Sequence, residues 1–426
     1  MTFLLIGLAL SLPVASVLAI AGYLLSENYA FIPMTGAAGP LVWSHSNDFI
    51  LIAAPMFIMM GELMHRSGES ERLFGALAPW FARVPGQLIH TNIASSAVFA
   101  ATSGSSLATA ATIGTVAVPN MDKGGYNRPL FLGSIAAGGT LGILIPPSIN
   151  MIVYSVLSQT SVTDLYAAGF IPGVMQAMLF SGIVLVAVLI RPSLVQGEAV
   201  TGSLWPARIA GLPHLLPPLG LFFVVVGSIY VGLATPTEAA ALGLIATLGL
   251  VAVNRRLTIA VLLSAFEGTV RTTCMIMLIV LAAFFLNLVM VSIGLVDAIT
   301  SSILDLGWSP LGMLLAIIAF YLLLGCFMET ISMMIATTPI VVPVIIGLGY
   351  DPVWWGIVFV ILIEAALITP PVGLNLYIVQ AVRKSGSISD LFIGALPFLL
   401  AMLVMIALLI ALPGLALWLP EILNPR

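Results

Sequence analysis

Four short interruptions in otherwise apolar runs carry the groups able to do chemistry. The first is Thr102-Ser103-Gly104-Ser105-Ser106, within a stretch from Gln87 to Asn120 that has no Asp, Glu, Lys or Arg. The second is Gly142-Ile143-Leu144-Ile145-Pro146-Pro147-Ser148. The third runs from Gly325 to Thr330, and the fourth is Ile368-Thr369-Pro370-Pro371-Val372-Gly373. Proline removes an amide donor and obstructs the preceding turn, so a diproline break frees carbonyl oxygens. Such oxygens are hard ligands, and a half-helix ending at the break adds partial negative charge. That chemistry suits Na⁺. Ser103 and Ser105 with Gly142, Ile145 and Pro147 make one expected cage, built largely of carbonyls. Gly325 and Met328 with Ala366, Thr369 and Pro371 make a second. Half-helices starting near Ser106, Thr330, Ser148 and Val372 offer amide donors and positive dipole ends, which favour a carboxylate. Ser106, Ser148, Asn150, Thr330 and Asn375 are the candidate contacts to that anion.

Other side chains admit two readings each. Glu329 lies in an apolar run, where a lipid-facing charge costs ~2.5 kcal/mol or more. It reads either as a cation site or proton relay, or as a hydrogen-bond partner of the interrupted backbone. Glu364, just before the fourth break, divides the same way. Asn150 and Asn375 either touch ligand or satisfy freed main-chain groups. Thr235-Pro236-Thr237-Glu238 is the signature of a helix start. No Lys or Arg falls deep in the expected core. Cys274 and Cys326 lie in apolar runs and read as buried small hydrophobes rather than a disulfide or metal pair. Four scattered histidines show no ligand spacing. There is no nucleotide-binding loop, dinucleotide turn or catalytic triad pattern, so neither ATP-driven transport nor enzyme chemistry has support within the chain.

The elements that must position these groups follow from hydropathy. Of 426 residues, 61% are hydrophobic and 7% charged, with a mean hydropathy of +1.19. Soluble domains carry roughly 25% charged residues, so this is an all-α polytopic membrane protein. A span over about residues 3–25 precedes one over 49–64, then an amphipathic arm from Arg66 to Arg83 with Leu73, Phe74, Leu77 and Trp80 at helical spacing. The Gly/Ser interruption splits 87–120 into arms of about 15 residues, each rising only ~22 Å against a hydrocarbon core of ~30 Å. Non-helical backbone at that depth must be buried in protein or line a cavity. The stretch therefore reads as a re-entrant hairpin, although a single such break also fits a kinked helix. A broken helix over 129–160 follows, then spans over 164–190, 213–233 and 236–253. The second half predicts a surface segment near 257–270, a span over 272–292, a hairpin over 309–347, a broken helix over 353–382 and a last span over 390–418.

At a constant offset of 224 residues Pro119 meets Pro343, Gly125 meets Gly349, Tyr126 meets Tyr350, and Pro146-Pro147 meets Pro370-Pro371. The matches preserve the order hairpin, turn, broken helix. Arg66, Arg72, Arg83, Lys123 and Arg128 flank the first hairpin and place its open end in the cytoplasm. The flanks of the second hold Asp297, Asp305 and Asp351 and no basic residue, which places its open end outside. Following the spans through puts twelve of the thirteen lysines and arginines inside. The halves are thus inverted repeats, with the amino terminus cytoplasmic and the carboxyl terminus periplasmic. Hairpins entering from opposite faces beside two broken helices describe a secondary-transporter core.

At these residues the chain resembles the large membrane subunit, the DctM-like protein, of tripartite ATP-independent periplasmic (TRAP) transporters. The resemblance spans nearly the whole chain. It is strongest in Ser67 to Leu73, Ser103-Gly104-Ser105, Ile145 to Ile149, Gly325 to Thr330 and Ile368 to Leu376. It implies an elevator-type, Na⁺-driven importer in the bacterial inner membrane. Such an importer takes an organic acid from a periplasmic substrate-binding protein and works with a small four-helix membrane subunit packed on its scaffold. The segments matching the family's sodium sites are those proposed above. Scaffold and arm are expected over 1–86, and transport-domain hairpin and broken helix over 87–163. Scaffold, linker and second arm follow over 164–308, the second hairpin and broken helix over 309–389, and a terminal helix over 390–426. Where many members have Ala-Asp after the first tip, this chain has Ala108-Thr109. The second tip carries Glu329 where Asp is usual. A stand-alone elevator carrier for dicarboxylates, with no binding protein, is the alternative reading.

Overall fold

A computed structural model describes residues 12–195 and 202–424, and every regular element among them is helical. In order these are α1 (Val14–Tyr29), α2 (Ala38–Ser46), α3 (Ala53–Arg66), α4 (Glu69–Phe81), α5 (Leu88–Ser103), α6 (Ser106–Lys123), α7 (Arg128–Leu144) and α8 (Ile149–Ser158). Then come α9 (Val162–Ile190), α10 (Trp205–Tyr230), α11 (Pro236–Val253), α12 (Ile259–Ser292), α13 (Leu295–Leu304), α14 (Pro310–Gly325) and α15 (Thr330–Gly347). The last four are α16 (Pro352–Ile368), α17 (Leu374–Arg383), α18 (Ser389–Ala411) and α19 (Gly414–Leu423). Six of the helices are long and apolar enough to cross a membrane, and the pair α7 and α8, bent by 44°, makes a seventh candidate span. The chain is a multi-pass membrane protein.

The centre is built on α7 and α16. Both are apolar all round, and every residue from Leu130 to Leu144 and from Val353 to Ile368 is buried, as expected of a helix enclosed on all sides. Their starts are equivalent. Asn127 caps α7 by accepting from the Leu130 amide (3.1 Å). Asp351, 224 positions later, caps α16 by accepting from the amides of Val353 (2.7 Å) and Trp354 (3.2 Å). Gly125 and Gly349, in the turns before these caps, both take positive φ (62° and 86°), open to glycine without strain. α5 and α6 pack on α7 as the first hairpin, and α14 and α15 on α16 as the second. The second arms are exchanged. α8 lies against α15 and α16, while α17 lies against α6 and α7. Tyr154 on α8 donates to Pro352 O (2.7 Å), and Asn375 on α17 donates to Ala136 O (3.0 Å). This reciprocal exchange locks the two repeats into one body.

A second group, α1, α3, α10, α11 and α12, packs laterally, with α1 on α12 and α3 between α11 and α12. It meets the centre where α3 touches α5 and α8, and where α12 touches α15. α11 starts as its sequence predicts, with Thr235 and Glu238 capping each other's backbone. The amphipathic arm α4 buries Leu73 and Phe74 and leaves Trp80 exposed under Arg208, whose guanidinium sits 5.2 Å from the ring centroid. Arg72 donates to Asn254 Oδ1 (2.7 Å), and Arg83 to Gly202 O (2.7 Å). Together with Arg66, bonded to Ser264 (3.1 Å), they gather at one end of the bundle.

The structure corrects several expected boundaries. The segment 257–270 and the span 272–292 are one continuous helix, α12, because nothing between them breaks an i→i+4 ladder. The counterpart of arm α4 is instead α13, and both begin after a left-handed glycine, Gly68 (φ 76°) and Gly294 (φ 68°). α10 starts at Trp205 rather than 213, running through Pro213, Pro217 and Pro218 before a π-helical stretch at Phe223–Gly227. The first span reaches Tyr29, and its expected start falls outside the described residues. Cys274 is exposed and Cys326 half-buried, so neither is a core residue. α9 packs on α7, α16 and α18.

The tightest helix crossing is α7 on α18. A Cβ on Gly133 would stand 2.0 Å from Gly394 O, and one on Gly394 would stand 1.8 Å from Pro129 O. Both obstacles are main chain, which cannot yield as a side chain does. Gly394→Ala is expected to cost about 3 kcal/mol, at the upper end of overpacking penalties. Thermal unfolding of the detergent-solubilised protein checks this, with Gly182→Ala, where nothing lies within 4 Å, causing no loss, since alanine is the better helix former.

Candidate functional site

The first hairpin breaks because Gly104 takes a left-handed conformation (φ 61°) and Ser105 an extended one (φ −134°), which ends α5 and starts α6. The tip then closes on itself through hydroxyls. Thr109 donates to Ser105 O (2.7 Å), Ser103 and Thr109 share a hydrogen bond (2.8 Å), and Ser103 reaches Ser105 O at 3.4 Å. The tip presses on the first diproline break. A Cβ on Gly142 would lie 2.6 Å from Ser105 O, and one on Gly104 would lie 2.8 Å from Pro147 O. Only glycine lets these carbonyls approach. Ser103, Ser105, Gly142 and Pro147, sequence candidates for one cage, are therefore brought together. Ile145 faces Gly173 of α9, its Cγ1 2.8 Å from that glycine's Cβ position.

The second tip meets the second break in the same manner. A Cβ on Gly325 would stand 2.6 Å from Ala366 Cβ. Met328 is buried, and Thr369 donates to Ala365 O (2.6 Å), closing the last turn of α16. The chemistry of this tip differs from the first. Glu329 caps α15, accepting from the amides of Ile331 (3.1 Å) and Ser332 (2.9 Å) and from the hydroxyls of Thr330 (3.0 Å) and Ser332 (2.9 Å). An internal carboxylate thus occupies the amino-terminal turn of α15. At the first tip Ser105 Oγ accepts only from Ala108 N (3.4 Å), and the amides of Ser106 and Leu107 have no partner among the described residues.

Both tips open onto one cavity of about 460 Å³, within the range of small-molecule sites. Ser105, Ser106, Asn150, Glu329 and Thr330 line it. Ser148 and Asn375, expected beside them, are not in the lining. Ser148 is buried and donates to Ile143 O (2.6 Å) while capping α8, and Asn375 is held on Ala136. Each satisfies backbone rather than facing the cavity. Glu364 is fully buried outside the lining, and neither of its carboxyl oxygens has a hydrogen-bond partner among the described residues.

Sequence reasoning missed the opposite wall. α3 contributes Gly61, Glu62, His65 and Arg66, and α12 contributes Thr272, Met275 and Ile276. Arg66, read from the sequence as a topological marker, thus reaches the cavity from the end of α3. A charged trio at the end of an apolar helix (Glu62, His65, Arg66) was the available signal. Thr109 was visible as a departure from the family pattern, and the structure shows it bonded within the tip.

Two hairpins whose tips line one cavity beside two broken helices, surrounded by apolar spans, are the architecture of a membrane transporter. The family model for the DctM component of the tripartite ATP-independent periplasmic transporter matches residues 1–415, and the chain belongs to that family. A C4-dicarboxylate TRAP transporter large permease protein, DctM, of Pseudomonas aeruginosa is 32% identical over 377 residues, covering 88% of this chain and 87% of its own. An isethionate TRAP transporter permease protein, DctMQ, of Oleidesulfovibrio alaskensis is 30% identical over 388 residues, covering 88% of this chain and 59% of that longer protein. Among solved structures, the YdaH transporter of Alcanivorax borkumensis aligns with a TM-score of 0.62 and 16% identity, covering 95% of this chain and 96% of that one. At that identity the likeness speaks to the fold alone. The relatives are transporter permeases, and this chain is not an enzyme.

The cap at the second tip is directly testable. Glu329→Ala removes all four hydrogen bonds and is expected to lower stability by about 2 kcal/mol, the upper end for losing a helix cap. Glu329→Gln, which keeps an acceptor, should lose less than half of that in the same thermal assay.

Proposed function

We propose that this chain is the large permease of a Na⁺-coupled importer for an organic acid, delivered by a periplasmic substrate-binding protein. The observation that carries this reading is the single cavity onto which both hairpin tips open, with unpartnered amides at one helix start and crowded carbonyls behind it. Amide N–H groups at a helix start favour an anion. The names of the two relatives described above agree in charge, since C4-dicarboxylates and isethionate are both anions. Na⁺ is a cargo ion here. Ser103 Oγ and the carbonyls of Ser105, Gly142 and Pro147 are the oxygen donors suited to hold it at the first break, with Gly325, Met328, Ala366, Thr369 and Pro371 supplying the second site. Hard, uncharged oxygens fit such a cation.

The division into a central body and a lateral group carrying α1, α3, α10, α11 and α12 supports transport by an elevator motion. The lateral group provides the fixed scaffold on which the small membrane subunit packs. Arg66 belongs to the basic end of the bundle, so the cavity it lines reaches toward the cytoplasm if basic residues mark the inside. The first hairpin then opens inward and the second outward.

Proteoliposomes holding this chain with its small subunit, supplied with loaded binding protein, should accumulate cargo only under an inward Na⁺ gradient. Uptake that persists unchanged when K⁺ replaces Na⁺ would refute the coupling. Ser103→Leu and Ser105→Leu should each abolish coupled uptake while expression is retained. Gly142→Ala, which places a methyl 2.6 Å from Ser105 O, should raise the Na⁺ concentration for half-maximal uptake at least severalfold.

A further inference from the structure

The cavity walls are chemically unequal, and the inequality selects where an anion sits. At the second tip the amino-terminal turn of α15 is filled by Glu329. At the first tip two amides of the α6 turn have no partner among the described residues. Across from it stands Arg66, whose guanidinium is paired with the Glu62 carboxylate and also donates to Glu62 O (2.9 Å) and Ser264 Oγ (3.1 Å). The pair is seated in α12. A Cβ on Gly268 would stand 3.0 Å from Glu62 Cδ and 3.1 Å from each of its carboxylate oxygens, so that glycine is the notch receiving Glu62. Ser264, one turn before Gly268, tethers Arg66, and Thr272, one turn after it, lines the cavity. α3 reaches the first tip directly, since a Cβ on Gly61 would lie 2.6 Å from Ser103 O. Arg66, five residues further along α3, lines the same cavity as that tip.

We propose that a carboxylate of the cargo docks between the amino-terminal turn of α6 and the guanidinium of Arg66, displacing Glu62 from that guanidinium. Glu62 is the built-in competitor. It holds Arg66 neutralised when the cavity is empty and recloses on it as cargo departs. This rests on the reading of the chain as an organic-acid carrier and adds the residues that recognise the anion and release it. Guanidinium suits this role because its planar fork accepts a carboxylate in two parallel hydrogen bonds. Arg66 comes from α3, outside the locked central body. In an elevator motion it faces the tip in one orientation only, and the contact is lost when the tip moves away.

The test is the succinate dependence of thermal stability of the full-length chain with its small subunit, with the uncharged diamide of succinate as control. Succinate should raise the wild-type midpoint and the diamide should not. Arg66→Ala should need about tenfold or more succinate for the same shift, because one partner of a charge-assisted contact is gone. Arg66→Lys should fall between the two. Glu62→Gln should need severalfold less than wild type, since the competing charge is removed. That opposite direction is what a merely structural ion pair does not produce. An equal response to succinate and diamide, including none to either, overturns the proposal. So does an Arg66→Lys or Arg66→Ala response equal to wild type, or a weaker response from Glu62→Gln. Repeating the titration in K⁺ separates the two readings. A shift that ignores Na⁺ but needs Arg66 ends the coupling claim alone, and a shift that needs Na⁺ but ignores Arg66 ends this proposal alone.

Discussion

A main chain broken inside hydrocarbon must find partners for the N–H and C=O groups it exposes, because no water is there to take them. The whole arrangement answers that constraint. Each hairpin tip is laid against the broken helix of its own repeat, with a glycine or alanine at the contact (Gly142 beneath Ser105, Ala366 beneath Gly325). Hydroxyls of Ser103, Thr109, Ser148 and Thr369 take up part of the freed main chain. The enclosure these segments need is supplied by α7 and α16, which are buried from Leu130 to Leu144 and from Val353 to Ile368. The irregular backbone and the apolar core are therefore one construction. Neither persists without the other.

The repeat is close in backbone and divergent in chemistry. Caps at Asn127 and Asp351, left-handed glycines at 125 and 349, and exchanged arms α8 and α17 all obey it. The tips do not. Ser105 begins one half-helix with a neutral hydroxyl, and Glu329 begins the other with a carboxylate that takes four donors. A structural pseudo-symmetry thus surrounds a polar asymmetry, and an asymmetric ligand is what such a cavity distinguishes. The lateral helices deepen the asymmetry, since α3 brings charge to one wall while α12 adds Thr272, Met275 and Ile276.

Much of this was legible in the residue order because hydropathy, glycine and proline act locally. The two hairpins, the diproline breaks and the cap at Thr235 follow from neighbours within a few positions. Pairing of tip with break was reachable through the repeat. The arm of the second half is not legible in the sequence because α12 is apolar beyond the length of one crossing, and Ser264, Glu267 and Arg271 in its first half imitate a surface helix. Ser148 and Asn375 stay ambiguous in the sequence because a polar side chain after a break can meet either ligand or backbone. Only geometry tells which one is nearer.

Taken alone, the chain determined its class, its repeats, the positions of its breaks and the kind of ligand atoms they expose. These depend on covalent spacing and on transfer of short segments from water, both of which are properties of consecutive residues. The tertiary structure decided that Glu329 is committed to its own helix and that Ser148 and Asn375 hold backbone. It also decided that Glu62 and Arg66 look into the cavity from α3. Those outcomes depend on which groups, tens to hundreds of positions apart, arrive within hydrogen-bonding distance, and packing of whole helices settles that.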